Sequence, residues 1–180
     1  MPELPETETI ARDLDRTIAG SRITDVRVRR GDVLREVDAR QLRRRVVGSV
    51  IDHAWRRAKL IVLDLSSSDR IVVQPRFTGA LLIDDGSLPE AERRYSTIEF
   101  VLERERSLHY RDIRRLGTVS VMDERRFARY SGALGDEPLD SVFTVDRLSA
   151  ILAISWVAAR VGLKVVIFVD VPCARQEDQW

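Results

Sequence analysis

The chain has 180 residues and a mass of 20.6 kDa, room for one domain or for one domain and part of a second. Hydrophobic residues make up 44% and charged residues 33%, with only 9 glycines and 6 prolines, which excludes a disordered or low-complexity chain. The 30 basic and 29 acidic side chains leave a formal charge of +1, so any polyanion-binding surface must be local.

Pro2 to Ile18 reads as a helix. Prolines and acids sit in its first turn, Ile10, Leu14 and Ile18 form a stripe, and Gly20 follows as a stop. Arg22 to Arg30 alternates like a half-exposed strand, and Asp38 with Gln41 has the form of a capping box for a short helix closed by Gly48. From Ser49 the texture is β. Strands are predicted at 50–57, 60–65, 71–74, 80–83, 97–102, 107–110 and 117–122, with turns at 66–69 and 84–87. A short helix is predicted over 124–130, a Gly/Pro/Asp connector over 132–140, and a further helix capped by Thr144. Short, β-branched, closely spaced strands predict a mainly β (α+β) fold. The expected architecture is a two-layer antiparallel β-sandwich with an N-terminal helix, followed by an incomplete helical segment. The expected domains are 1–132, the β-sandwich, and 133–180, a connector with the start of a helical domain and an atypical tail in which 161–171 is apolar and β-branched.

The single cysteine, Cys173, excludes an internal disulfide framework and any zinc site of several cysteines, and His53 and His109 cannot complete a closed zinc site with it unless carboxylates join. Met1 is followed by Pro2, Glu3 and Leu4 rather than a basic and then apolar run, and the longest apolar stretch, 165–169, is too short to span a membrane. A soluble cytoplasmic protein is the expectation. Only Lys59 and Lys164 are lysines, against 28 arginines, so Lys59 stands out as a compact point charge where the chain otherwise writes Arg.

The chemistry begins at the extreme N-terminus. Initiator methionine is normally removed before a small residue, which would expose the secondary amine of Pro2. An N-terminal amine has a pKa near ~8, so a useful fraction is neutral at pH 7 and can attack an aldehydic carbon to form a Schiff base. Glu3 and Glu6 lie within reach as acid or base. Pro and acids in a first turn are also ordinary helix-start chemistry, and position alone does not separate the two.

The whole string 2–8, Pro-Glu-Leu-Pro-Glu-Thr-Glu, resembles the N-terminus of the formamidopyrimidine-DNA glycosylase and endonuclease VIII family, and its Leu4-Pro5 pair resembles the formamidopyrimidine branch. Further matches follow in order: Arg56-Arg57-Ala58-Lys59 resembles the family's Arg-Gly-Lys turn, 74–79 the turn after the next strand, 112–117 the Asp-Pro-Arg-Arg-Phe-Gly motif, and 134–139 the connector to a helical domain. The resemblance implies base-excision repair of oxidised purines in double-stranded damaged DNA by a monomeric glycosylase and AP lyase. It makes Pro2 the nucleophile at C1′, Glu3 the acid/base that opens the sugar, and Glu6 a support for the helix or the leaving group. Lys59 approaches the damaged base and a phosphate. A flipped-out base leaves a gap, which Phe77, Arg114 and Leu116 would plug.

Departures accompany the matches. Ala58 stands where the family prefers Gly, Gln74-Pro75 where His-Leu is commoner, and Leu116 where Phe is usual. After Leu148 nothing resembles the family's helix–two-turn–helix element or its four-cysteine zinc finger, so no cofactor is expected, and a frameshift near Ala150 or a replaced C-terminus would explain the tail. The alternatives are a weakly DNA-binding remnant of the family and an unrelated binding module built on the clusters Arg27–Arg30 and Arg43–Arg45.

Overall fold

The computed structural model describes residues 4–137, 140 and 143–160. The chain divides into two compact units, Met1–Phe127 and Ala128–Trp180. The first opens with helix α1 (Leu4–Ile18), followed by strand β1 (Ile23–Val28) and helix α2 (Ala39–Val46). Strands β2 (Ile51–Arg57), β3 (Leu60–Leu65), β4 (Arg70–Gln74) and β5 (Gly79–Asp84) come next. A single helical turn, α3 (Glu90–Arg93), then precedes β6 (Ser96–Leu102), β7 (Ser107–Asp112) and β8 (Thr118–Met122). The strands form two antiparallel four-stranded sheets, ordered β1-β6-β7-β5 and β2-β3-β4-β8. This is the expected two-layer sandwich, with strand bounds close to those given by the alternation. The turn α3 and a 3₁₀ turn at Gly31–Val33 are additions that no periodic pattern signals, since each is too short to show one.

The core is the interior of the sandwich. Ile98, Phe100, Leu108 and Tyr110 from one sheet meet Ile61, Leu63, Ile71, Val119 and Val121 from the other, all essentially inaccessible. Helix α1 packs on β2 and β3. Its buried face is Leu4, Thr7, Ala11, Leu14 and Ile18, spaced three and four residues apart. The expected stripe through Ile10 is therefore rotated, and Ile10 lies at its edge because the small Thr7 and Ala11 face the sheet instead. Helix α2 carries the expected capping box: Asp38 accepts from the Gln41 amide while the Gln41 side chain accepts from the Asp38 amide.

The second unit contains the end of α4 (Glu124–Gly132) and helix α5 (Val145–Arg160). Thr144 caps α5 by accepting from the Arg147 amide, as expected, and Arg147 pairs with Asp136 at 2.5 Å. The apolar tail 161–171 and Cys173 lie outside the described residues.

Candidate nucleic-acid interface

Strand register gathers the singled-out residues at one end of the sandwich. Arg57 pairs with Leu60 across the 58–59 turn, so Lys59 sits at the tip of the β2–β3 hairpin. Ile61 pairs with Val73, which brings the exit of β4 beside that tip. Gln74 pairs with Thr118 and Gly79 with Asp112, which sets loops 75–78 and 113–117 side by side. Each of these loops crosses from one sheet to the other. Helix α1 runs antiparallel to β2, because Glu8 reaches Arg56 while Asp15 accepts from the Ala54 amide and contacts His53. The first turn of α1 therefore lies at the Lys59 end, with Glu6 exposed on it. Pro2 and Glu3 precede the described residues.

Phe77 is 54% exposed and Leu116 47%, which excludes a core role for either; Arg114 is exposed beside them. Large apolar side chains held out in water at a loop tip are costly to solvate and are expected where a partner covers them. The loops are held together from beneath. The buried carboxylate of Asp112 accepts from the Thr78 hydroxyl at 2.5 Å, the Gly117 amide at 2.8 Å and the Tyr110 phenol at 3.3 Å. Thr78 in turn accepts from the Arg114 amide at 3.1 Å. Burial, reinforced by Asp112, raises the Tyr110 phenol well above its ordinary range, so it stays a donor. Glycine is required where the loops touch. A Cβ on Gly117 would lie 1.9 Å from the Tyr110 hydroxyl and 2.7 Å from the Gln74 carbonyl, and one on Gly79 would lie 2.3 Å from the Pro75 carbonyl. Two exposed arginines bend these loops through left-handed backbone, Arg76 at φ 50° and Arg115 at φ 55°. Such conformations cost about 1 kcal/mol each for residues other than glycine.

The Lys59 turn has its own support. Ala58 has φ 52° at the first position of a two-residue hairpin loop, the place glycine favours, which explains the preference that the motif departs from. Arg56, with its side chain 4% exposed, donates to the Ala58 carbonyl at 2.9 Å and to Glu8 at 2.8 Å, so one guanidinium joins the turn to α1. The Arg56 hydrogen bond, helped by Arg12, holds the Glu8 carboxyl below its ordinary range. The stabilisation is therefore complete above the unfolded pKa of about 4.3 and is lost as pH falls through the lower folded value. Glu8→Gln should cost about 2 kcal/mol at pH 7, less than a fully buried pair because Glu8 remains partly wet. The difference from the wild type, followed by urea titration, should shrink below pH 4; a pH-independent difference would contradict the pairing.

Motif order alone assigns no role to Arg56, Glu8 or Asp112 in holding these loops. A signal is nevertheless present: Arg56 follows Ala54, and Asp112 follows Tyr110, on the buried phase of their strands. A charge on the inward phase of a strand needs a partner and so marks a linchpin. His109, considered as a metal ligand, is instead buried in the sheet against Ser96 at 2.9 Å, and burial lowers its pKa. Among the described residues no three His, Cys, Asp or Glu side chains come together as a metal site, so a family-type zinc does not fit them. The cluster Arg43–Arg45 is largely structural: Arg43 pairs with Asp25 at 2.7 Å, and Arg45 forks onto Asp69 and donates to the Val121 carbonyl.

Residues 1–119 match the formamidopyrimidine-DNA glycosylase N-terminal domain. The chain belongs to the formamidopyrimidine-DNA glycosylase family. Among similar proteins, the formamidopyrimidine-DNA glycosylase of Carboxydothermus hydrogenoformans is 34% identical over 168 residues, covering 93% of this chain and 58% of that protein. The enzyme of that name from Moorella thermoacetica is 35% identical over 155 residues, covering 85% of this chain and 56% of the relative. This chain thus spans little more than half the length of these members of the family. The first of these matches covers too much of the chain to stop at Ala150, so some family likeness extends beyond the point where the motifs fade. The structure of Lactococcus lactis Fpg in complex with abasic-site DNA superposes with a TM-score of 0.69 over 76% of this chain and 51% of that one, at 23% identity. The same protein with a FAPY-dG containing DNA gives the same TM-score. At that identity the likeness shows the formamidopyrimidine-DNA glycosylase fold.

Proposed function

We propose that this protein is a base-excision DNA glycosylase and AP lyase for oxidised purines in duplex DNA. The observation that supports it most is the convergence, at one end of the sandwich, of the first turn of α1, the Lys59 turn and the exposed loops bearing Phe77, Arg114 and Leu116. Pro2 is two residues from Leu4 and therefore within about 7 Å of it along the chain. Its amine attacks C1′ of the damaged nucleotide. The glycosidic bond breaks, the electron pair leaves with the base, and Glu3 moves the proton that opens the sugar ring. The resulting Schiff base carries β- and then δ-elimination, and water releases Pro2. Lys59 holds the damaged base and a phosphate. Phe77 and Leu116 fill the vacated stack, with Arg114 on the orphaned base. Glu6 supports the start of α1. The protein acts as a monomer in the cytoplasm; among the described residues no helix is long and apolar enough to cross a membrane.

Borohydride trapping on an abasic-site duplex tests the reading. Mature protein beginning at Pro2 should give a covalent adduct. Pro2→Gly should reduce it severely, and Glu3→Gln should impair base release more than trapping. Equal trapping by a chain carrying extra residues ahead of Pro2 would remove Pro2 from the chemistry. No adduct and no strand cleavage by the wild type would favour a DNA-binding remnant.

A further inference from the structure

The other arginine cluster, at 27–30, is not absorbed by the proposed chemistry. Register places its end with the wedge: β1 leaves its sheet where β6 begins and β7 ends, since Val28 pairs with Ile98 and Ser96 with Arg111. The amides of Arg29 and Arg30 both donate to the Thr97 carbonyl, and the Asp112 amide donates to the Tyr95 carbonyl. A cavity of about 780 Å³ opens there, lined by Arg29, Arg30, Arg94 and Arg115 around Tyr95 and Thr97. The one carboxylate that lines it, Asp112, and two that pair with its arginines, Glu99 and Asp32, are already engaged. Asp112 lies beneath the loops as described, Glu99 is 6% exposed between Arg27 and Arg29, and Asp32 pairs with Arg115 at 2.8 Å. Among the described residues no carboxylate pairs with Arg30 or Arg94, and Arg94 is steadied over the Tyr95 ring at 4.8 Å. Four guanidiniums around one opening, two without counter-charge, make a pocket for a phosphate diester.

Its position selects the strand. Lys59 belongs to the β2-β3-β4-β8 sheet, the pocket to the β1-β6-β7-β5 sheet, and the wedge loops cross between them. Ile113 and Arg115 line the pocket, and Arg114 and Leu116 stand on the same loop. A duplex with its lesion strand over Lys59 and its gap over the wedge must present its other backbone to the arginines. We infer that Arg29, Arg30, Arg94 and Arg115 form a phosphate pocket that grips the strand opposite the damaged nucleotide. This rests on the proposed function for its choice of strand.

The test is equilibrium binding of the full chain to duplex DNA across a salt series. Each lost phosphate contact flattens the log–log salt slope by about 0.9. Arg30→Ala/Arg94→Ala should flatten it by about 1.8, so that between 50 and 200 mM salt the wild type loses about tenfold more affinity than the variant. Arg30→Lys/Arg94→Lys should restore the slope, and Arg104→Ala, on the exposed β6–β7 turn at the opposite end, should leave it unchanged. Single neutral methylphosphonates placed along a duplex with a reduced abasic site then identify the strand. The wild type should lose affinity at one or two positions opposite the lesion where the alanine variant does not. An unchanged slope, or sensitivity confined to the lesion strand, overturns the inference. Trapping by the wild type is scored separately: adduct with an unchanged slope removes the pocket and keeps the enzyme, while a flattened slope on undamaged duplex without any adduct does the reverse.

Discussion

Gly117→Ala should lower the melting temperature by roughly 6–12 °C, the shift expected for a loss of about 3 kcal/mol in a chain of this size. The added carbon would fall 1.9 Å from the Tyr110 hydroxyl, 2.7 Å from the Gln74 carbonyl and 2.9 Å from the Pro75 carbonyl. Two of the three obstacles are backbone. The third belongs to a ring that is 0% exposed and hydrogen-bonded to Asp112, so it cannot swing aside. Relief requires the 75–78 and 113–117 loops to part, which moves Phe77 away from Leu116. Gly31→Ala is the matched control: nothing lies within 4 Å of its added carbon and its backbone is not left-handed, so its effect should stay within about 0.5 kcal/mol. Equal melting temperatures for the two variants would show that the loops do not touch as described.

The second large effect is expected at Asp112. Asp112→Ala removes three hydrogen bonds and leaves the Tyr110 hydroxyl and the Gly117 amide without an acceptor in a dry site, at a cost of about 3–5 kcal/mol. Asp112→Asn keeps one acceptor oxygen and should cost less, about 1–2 kcal/mol. The milder variant carries the sharper test. Amide exchange at Gly117 and Arg114 should accelerate, because the Arg114 amide is held only through Thr78 and Asp112. Exchange within β3, on the other sheet, should stay slow. Uniform acceleration through both sheets would mean that Asp112 supports the whole sandwich rather than the loops.

The sandwich and its loops are largely legible in the amino-acid sequence. The β pattern over 60–65 and 117–122 is strong because both faces of those strands are set by the core, and the Asp38/Gln41 capping box is a purely local device. Motif order marks the exposed loops, and Phe77 on one of them is half exposed rather than part of the core. What escapes is non-local. The pairing of Glu8 with Arg56 spans 48 residues, and the meeting of Gly117 with Pro75 depends on register between β4 and β8. The helix stripe departs from its expected line at Ile10 because hydrophobicity alone does not anticipate that Thr7 and Ala11 turn inward to let the helix approach the sheet. The two arginine clusters look alike in sequence and in pairing, since Arg27 and Arg29 share Glu99 while Arg43 and Arg45 hold Asp25 and Asp69; what sequence does not show is that Arg30 lines an opening with Arg94 and Arg115.

The passage of loops 75–78 and 113–117 between sheets also bears on how the protein assembles. Neither sheet is built from one stretch of chain: β1 waits for β6, and β4 for β8, with Val26 opposite Phe100 and Val72 opposite Ser120. Closing such long intervals is entropically slow, so folding should lag behind that of helical proteins of equal size. During synthesis the β2–β3–β4 meander can form early, but its edge remains uncovered until β8 emerges. Phe77 is then exposed beside an open strand edge, a combination prone to association. The end carrying these loops would be the last part to mature, and a nascent chain short of Met122 would present Phe77 without β8 to fix the 113–117 loop beside it.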